Sequence, residues 1–147
     1  VLTAESFVFL PMTKRRKGRE LALQALYQIA MTGDTSIAAC EFFLCHFEGS
    51  ASAKDFARRL ITGVIAHQQE IDRFISQSAD NWKLSRMAKV DLIILRMATY
   101  EMLFCPDIPM SVSMDEAIEI AKRYGSGDSA TFINGVLDQV AQVSGVK

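Results

Sequence analysis

Apolar residues recur at helical spacing along most of the chain. Ala22, Leu26 and Ile29 fall on one face with Leu23, Tyr27 and Ala30 beside it, while Lys17, Gln24 and Gln28 line the opposite stripe. A period near 3.6 with a polar back marks an amphipathic helix, here running from Arg15 to the Gly33-Asp34 turn. Ile37, Cys40 and Leu44 predict a short second helix over Ser36 to His46, closed by the polar break Glu48-Gly49-Ser50. Phe56, Ala57, Leu60, Ile61, Val64 and Ile65 predict a third, with Ser52-Ala53-Lys54-Asp55 supplying its N-terminal cap and an acid in the first turn. Ile71, Phe74 and Ile75 carry that period on to a break at Ser78 to Asn81, after which Trp82 opens a new segment.

From Arg86 to Phe104 the chain is apolar nearly all round, which predicts a central helix buried on several sides. Pro106 and Pro109 end it, because proline has no amide hydrogen and restricts the residue before it. Ser113-Met114-Asp115-Glu116 has the spacing of a capping box for the next helix, which stops at Gly125 to Gly127. Asp128 or Ser129 is placed to cap a last helix with the apolar face Phe132, Ile133, Val136, Leu137 and Val140. No strand pattern of comparable length occurs, so the expected class is all-α. The break at Ser78 divides the chain into expected subdomains 12–78 and 79–147. Residues 1–11 lack a regular period and are expected to be a disordered upstream extension, with Met12 as the native start.

Half of the 147 residues are hydrophobic, enough for one ordinary domain without staples. A formal charge of -1 argues against a generally basic nucleic-acid coat and leaves only local clusters to attract phosphate. Cys40, Cys45 and Cys105 are odd in number, form no CxxC pair and sit among apolar residues, which suits buried free thiols in a reducing, cytoplasmic compartment. Phe7 to Leu10 is far too short for a signal-peptide core or a membrane span, so no membrane association is expected.

One local cluster stands out. Lys14-Arg15-Arg16-Lys17-Gly18-Arg19 puts five cations into six residues just ahead of an apolar stripe. A solvated helix end is the simplest account of such a run. Cations at a helix N-terminus, however, oppose the macrodipole at about 0.3 to 1 kcal/mol each. Gly18 further weakens a helix by about 1 kcal/mol relative to alanine, as would suit a segment that orders fully only when phosphate neutralises it. These features favour RNA or DNA binding. With about five phosphates contacted at a salt slope of roughly -0.7 each, a fourfold rise in salt would weaken binding about a hundredfold. Contacts of this kind position a strand without reading it.

Readers of base identity have to come from elsewhere. Tyr27, Tyr124 and Phe132 are the aromatics nearest polar or flexible segments, although spacing alone assigns each to the core. Asp128 is first a helix cap, but a carboxylate beside a base edge accepts an amino hydrogen. Nothing assembles a catalytic site. His46 and His67 lack metal-spaced partners, the cysteines match no nucleophile or zinc signature, and there is no Gly-rich phosphate loop after a strand. The chain is expected to be no enzyme and to need no cofactor or metal.

Five segments in register carry a family resemblance: Arg15-Arg16-Lys17-Gly18-Arg19-Glu20 followed by Gln24-Ala25-Leu26-Tyr27, Ile94-Leu95-Arg96-Met97-Ala98-Thr99-Tyr100-Glu101, Asp107-Ile108-Pro109, Glu116-Ala117-Ile118-Glu119-Ile120-Ala121-Lys122, and Phe132-Ile133-Asn134-Gly135-Val136-Leu137-Asp138. Their order and spacing, from about Lys14 to Ala141, resemble the N-utilization substance B (NusB) transcription antitermination factors. The resemblance implies two packed helical bundles forming one compact domain. It also implies a factor that binds the boxA element of nascent ribosomal RNA operon transcripts together with a small-subunit ribosomal protein (NusE), within an RNA polymerase antitermination complex. Arg15, Arg16, Lys17 and Arg19 would correspond to the family's arginine-rich RNA segment, with Tyr27 after it on the same helix. Asp128, Thr131 and Phe132 would lie near RNA at the start of the last helix, Thr131 departing from a lysine found in some members. Asp91 and Met110 would face the ribosomal protein, Met110 standing where some relatives carry tyrosine. Some members pair into homodimers through the RNA surface. The competing readings are the RNA-targeting domain of a ribosomal RNA methyltransferase and a self-associating helical protein whose basic run is merely solvated.

Overall fold

The computed structural model describes residues 4–79 and 83–145, with side chains from Lys14 onward. Among these residues the regular structure is wholly helical, as the all-α reading requires. The helices are α1 (Ala4–Thr32), α2 (Ile37–Cys45), α3 (Ala51–Ala66), α4 (Gln68–Ser78), α5 (Lys89–Phe104), α6 (Met110–Tyr124) and α7 (Ser129–Ser144), with a single 3-10 turn at Leu84–Arg86 before α5. The chain divides into two compact units, 1–62 and 63–147, at a point within α3. The polar break after Ser78 marks the end of α4, but α4 packs on α5 and α7 and so belongs with them. A turn signal shows where a helix stops, not which helices share a core. Trp82 lies outside the described residues.

In the first unit, α1 starts at Ala4, inside the stretch expected to be a disordered extension. Residues 4–10 contain no glycine or proline to stop a helix from running backward, and α1 continues through Pro11 although proline lacks an amide donor and crowds the preceding turn. The far end is where the pattern placed it: Gly33 adopts φ 78°, a left-handed conformation that glycine takes without a side-chain penalty. Ser36 caps α2 by accepting the Ala39 amide at 3.1 Å. The cap of α3 is Ser50, not Ser52; its hydroxyl accepts the Ala53 amide at 3.1 Å because the helix begins at Ala51. Leu21, Ala22 and Ala25 of α1, Leu44 of α2 and Leu60 and Ile61 of α3 are fully or almost fully buried.

In the second unit, α5 is the central helix. It contacts α4, α6 and α7 and buries ten residues, Asp91 and Glu101 among them. Two sequence expectations need correction here. The period through Ile71 and Ile75 hides a break at His67, which leaves helical geometry between α3 and α4 and stacks its ring on Phe104 at 4.1 Å. The Ser113 to Glu116 segment is not a capping box. Helix α6 already begins at Met110, and the buried Ser113 hydroxyl donates to Glu101 Oε1 at 2.9 Å. Residues three apart share a helix face, so the same spacing that signals a cap also describes two polar groups turned inward.

Candidate nucleic-acid interface

The basic run occupies a full turn and more of α1 and its side chains have different fates. Lys14, Arg16 and Lys17 are exposed, Arg15 is half-buried, and Arg19 is only 2 % exposed. The guanidinium carbons of Arg15 and Arg19 each lie 5.2 Å from the centre of the Phe56 ring on α3, within cation-π range. Arg19 is therefore withdrawn from the set of phosphate ligands; it braces the helix pair instead. Gly18 explains the close fit. A Cβ there would stand 2.8 Å from the Ala53 carbonyl oxygen and 3.0 Å from the Phe56 ring. The glycine is a contact point between α1 and α3, which overturns its reading as a loosening element. Because α1 begins at Ala4, the cations also sit inside the helix, away from its N-terminus, and the macrodipole argument does not apply to them.

Tyr27 follows about three helical turns after Arg16, on the same face and roughly 16 Å further along the axis. It is 40 % exposed, so its assignment to the core by spacing is corrected, as is that of Tyr124 at 37 %. Gln24, about one turn before Tyr27, has its Oε1 buried without a hydrogen-bond partner.

A second group of candidate residues surrounds a cleft of about 210 Å³ in the other unit, lined by Arg86, Asp91, Asp128, Ser129 and Phe132 among others. The Ser129 hydroxyl accepts the Ser126 amide at 2.9 Å and donates to Asp91 Oδ1 at 2.7 Å, tying the start of α7 to α5. This turn closes tightly because Gly125 has no side chain: a Cβ there would approach Ser129 Oγ to 2.5 Å. Asp128 occupies the cap position of α7, yet its side chain makes no capping bond and is exposed, leaving the carboxylate to face outward. Phe132, half-buried, presents an apolar wall one turn later. Thr131 is exposed on α7 and Met110 half-buried at the start of α6, both outside the cleft lining. Asp91 is 8 % exposed and shares the cleft with Asp128 and Phe132, so the structure groups it with the RNA-side candidates. Arg86 is the lining residue that the sequence pattern does not single out, because cations spaced three apart ahead of an apolar helix, Lys83, Arg86 and Lys89, read as an ordinary solvated helix start.

Elsewhere the chemistry is structural. No three His, Cys, Asp or Glu side chains gather as a metal site among the described residues. Cys40 and Cys105 are buried free thiols and burial pushes the Cys40 thiol up, but Cys45 is exposed, contrary to its apolar sequence context. Among the described residues no helix is long and apolar enough to cross a membrane.

Residues 16–142 match the model of the NusB family. The chain belongs to the NusB family. It is 48 % identical over 129 residues to the transcription antitermination protein NusB of Desulfatibacillum aliphaticivorans, covering 88 % of this chain and 90 % of that one. It is 50 % identical over 131 residues to the NusB of Geobacter sulfurreducens, covering 88 % and 95 %. Among solved structures, the NusB of T. maritima superposes with a TM-score of 0.78 at 41 % identity over 87 % of this chain and 90 % of that one. A crystal structure of antitermination factors NusB and NusE in complex with dsRNA shares the fold, with a TM-score of 0.79 at 21 % identity over 90 % and 98 % of the two chains.

Proposed function

We propose that this chain is a cytoplasmic transcription antitermination factor that binds the boxA element of nascent ribosomal RNA operon transcripts together with NusE, as part of an RNA polymerase antitermination complex. The observation that carries the reading is the exposure of Lys14, Arg16 and Lys17 around one turn of α1, with exposed Tyr27 about three turns beyond Arg16 on the face that Arg16 occupies. A family whose relatives bear the antitermination name over nearly their full length supports it over a methyltransferase targeting domain. The cations, Arg15 among them as a half-buried member, hold phosphates without regard to sequence. Tyr27 offers a stacking face. In the other unit, Asp128 and Phe132 supply a carboxylate acceptor and an apolar wall for an unstacked base, with Thr131 at the rim. Asp91 keeps that cleft in shape through Ser129, and Met110 offers apolar surface to the ribosomal protein. No step requires a catalytic group. A homodimer is the competing state of the same RNA surface.

With Arg19 withdrawn, about four phosphate contacts remain, and a fourfold rise in salt is expected to weaken binding roughly fiftyfold. Titration of boxA RNA against a scrambled control, with and without NusE, tests recognition and cooperativity together. Alanine at Lys14, Arg16 and Lys17 is expected to flatten the salt slope to about -0.7 while circular dichroism stays unchanged. Unaltered binding and slope in that variant would refute the reading.

A further inference from the structure

The first unit carries an apolar groove that the RNA reading leaves unused. It lies between the C-terminal half of α1 and α2, holds about 610 Å³, and is lined by Ala25, Ile29, Ala38, Phe42, Phe43 and Phe47 among others. Phe42 is 68 % exposed and Phe47 37 %. Only Cys40 and Leu44 of α2 are buried. Single exposed apolar residues are ordinary, but two exposed rings lining one concave surface are the mark of a binding groove.

The charge around this groove is one-sided. From Glu20 to Ala53 the chain contains Glu20, Asp34, Glu41 and Glu48 and no lysine or arginine. Among the described residues no lysine or arginine lines the groove, whereas Asp34 does. Glu41 is engaged by Arg58 in a two-pronged ion pair, which leaves Asp34 as the charged group of the lining. An apolar channel whose described lining holds an acid and no lysine or arginine fits an amphipathic helix with basic flanks.

We propose that the α1/α2 groove docks an amphipathic helix of a partner protein, its apolar face on Phe42 and Phe47 and its lysines or arginines beside Asp34. The surface is separate from the cationic row of α1, so docking and RNA binding are independent events.

The test uses the full chain and a labelled synthetic peptide of about 15 residues, long enough to form a helix, with leucines at helical spacing and lysines elsewhere. A second peptide replaces each lysine by glutamate. Two variants remove the groove without touching the core: Phe42→Ala takes away an exposed ring, and Ala38→Trp fills the channel from an exposed position. The lysine peptide is expected to bind at least about tenfold more tightly than the glutamate peptide, and each variant to weaken it about tenfold or more. Asp34→Asn is expected to reduce the preference for lysine at low salt, and boxA affinity to stay unchanged in every variant. Equal binding of the two peptides, undiminished binding by Phe42→Ala or Ala38→Trp, absence of binding, or a dimer that Phe42→Ala converts to monomers would overturn the proposal, the last assigning the groove to a second copy.

Discussion

Helices α2 and α5 are both rich in apolar residues, yet they stand at opposite extremes of burial. Helix α5 is enclosed by α4, α6 and α7 and keeps ten side chains from solvent. Helix α2 packs on α1 and buries only Cys40 and Leu44, with Ile37 77 % and Phe42 68 % exposed. Hydrophobic surface sinks into a core only where neighbouring helices are available to cover it. Where they are absent, the same composition presents a face for another molecule. The acids follow the same division. In α5, Asp91 and Glu101 each accept a serine hydroxyl, from Ser129 and Ser113; in α2, the one acid, Glu41, meets a half-exposed arginine.

The largest expected effect tests this contrast directly. Leu95→Ala in α5 removes a fully buried side chain and is expected to destabilise the protein by about 2 to 5 kcal/mol. Phe42→Ala in α2 is expected to change stability by no more than about 0.5 kcal/mol. Denaturant unfolding of both reads the difference, and comparable losses would show that the Phe42 ring belongs to the core after all. Next in size, Ser129→Ala strips the buried Asp91 carboxylate of its hydroxyl donor and should lower stability by about 1 to 3 kcal/mol in the same assay.

The smallest effect concerns the acid of α2. Arg58 holds the Glu41 carboxyl below the usual glutamate range through direct hydrogen bonds. A depressed folded-state pKa means that the pair contributes above the unfolded pKa of about 4.3 and that this contribution disappears as pH falls through the folded value. Both partners face solvent, so salt screens the pair. Glu41→Gln should therefore leave stability at neutral pH almost unchanged and flatten its decline on the acid side, measured as melting temperature against pH. An unchanged acid limb would remove Glu41 from the account.

Most of the helices were legible because an apolar stripe of period 3.6 is produced by few other arrangements. Helix ends were less so. Ser50 and Ser52 both look like caps, and only the backbone start at Ala51 selects the first. The break at His67 was invisible because the apolar period runs through it. The basic run was legible as charge, but not the separate fates of Arg16 and Arg19, since the burial of Arg19 depends on Phe56, a residue of another helix. Tyr27 and Asp128 were named as candidates, while their exposure and the missing Asp128 capping bond depend on packing that a linear pattern does not contain.

The close approach at Gly18 has a consequence for association. A cationic segment that folded only on meeting its ligand would lose about 1 to 2 kcal/mol of backbone entropy per ordered residue at that moment. The turn of α1 that carries Arg16 and Lys17 is already seated against α3 through Gly18, so that loss is met during folding and the charges wait in position. Association then resembles the docking of a rigid surface, with a rate governed by diffusion and electrostatic attraction more than by chain ordering.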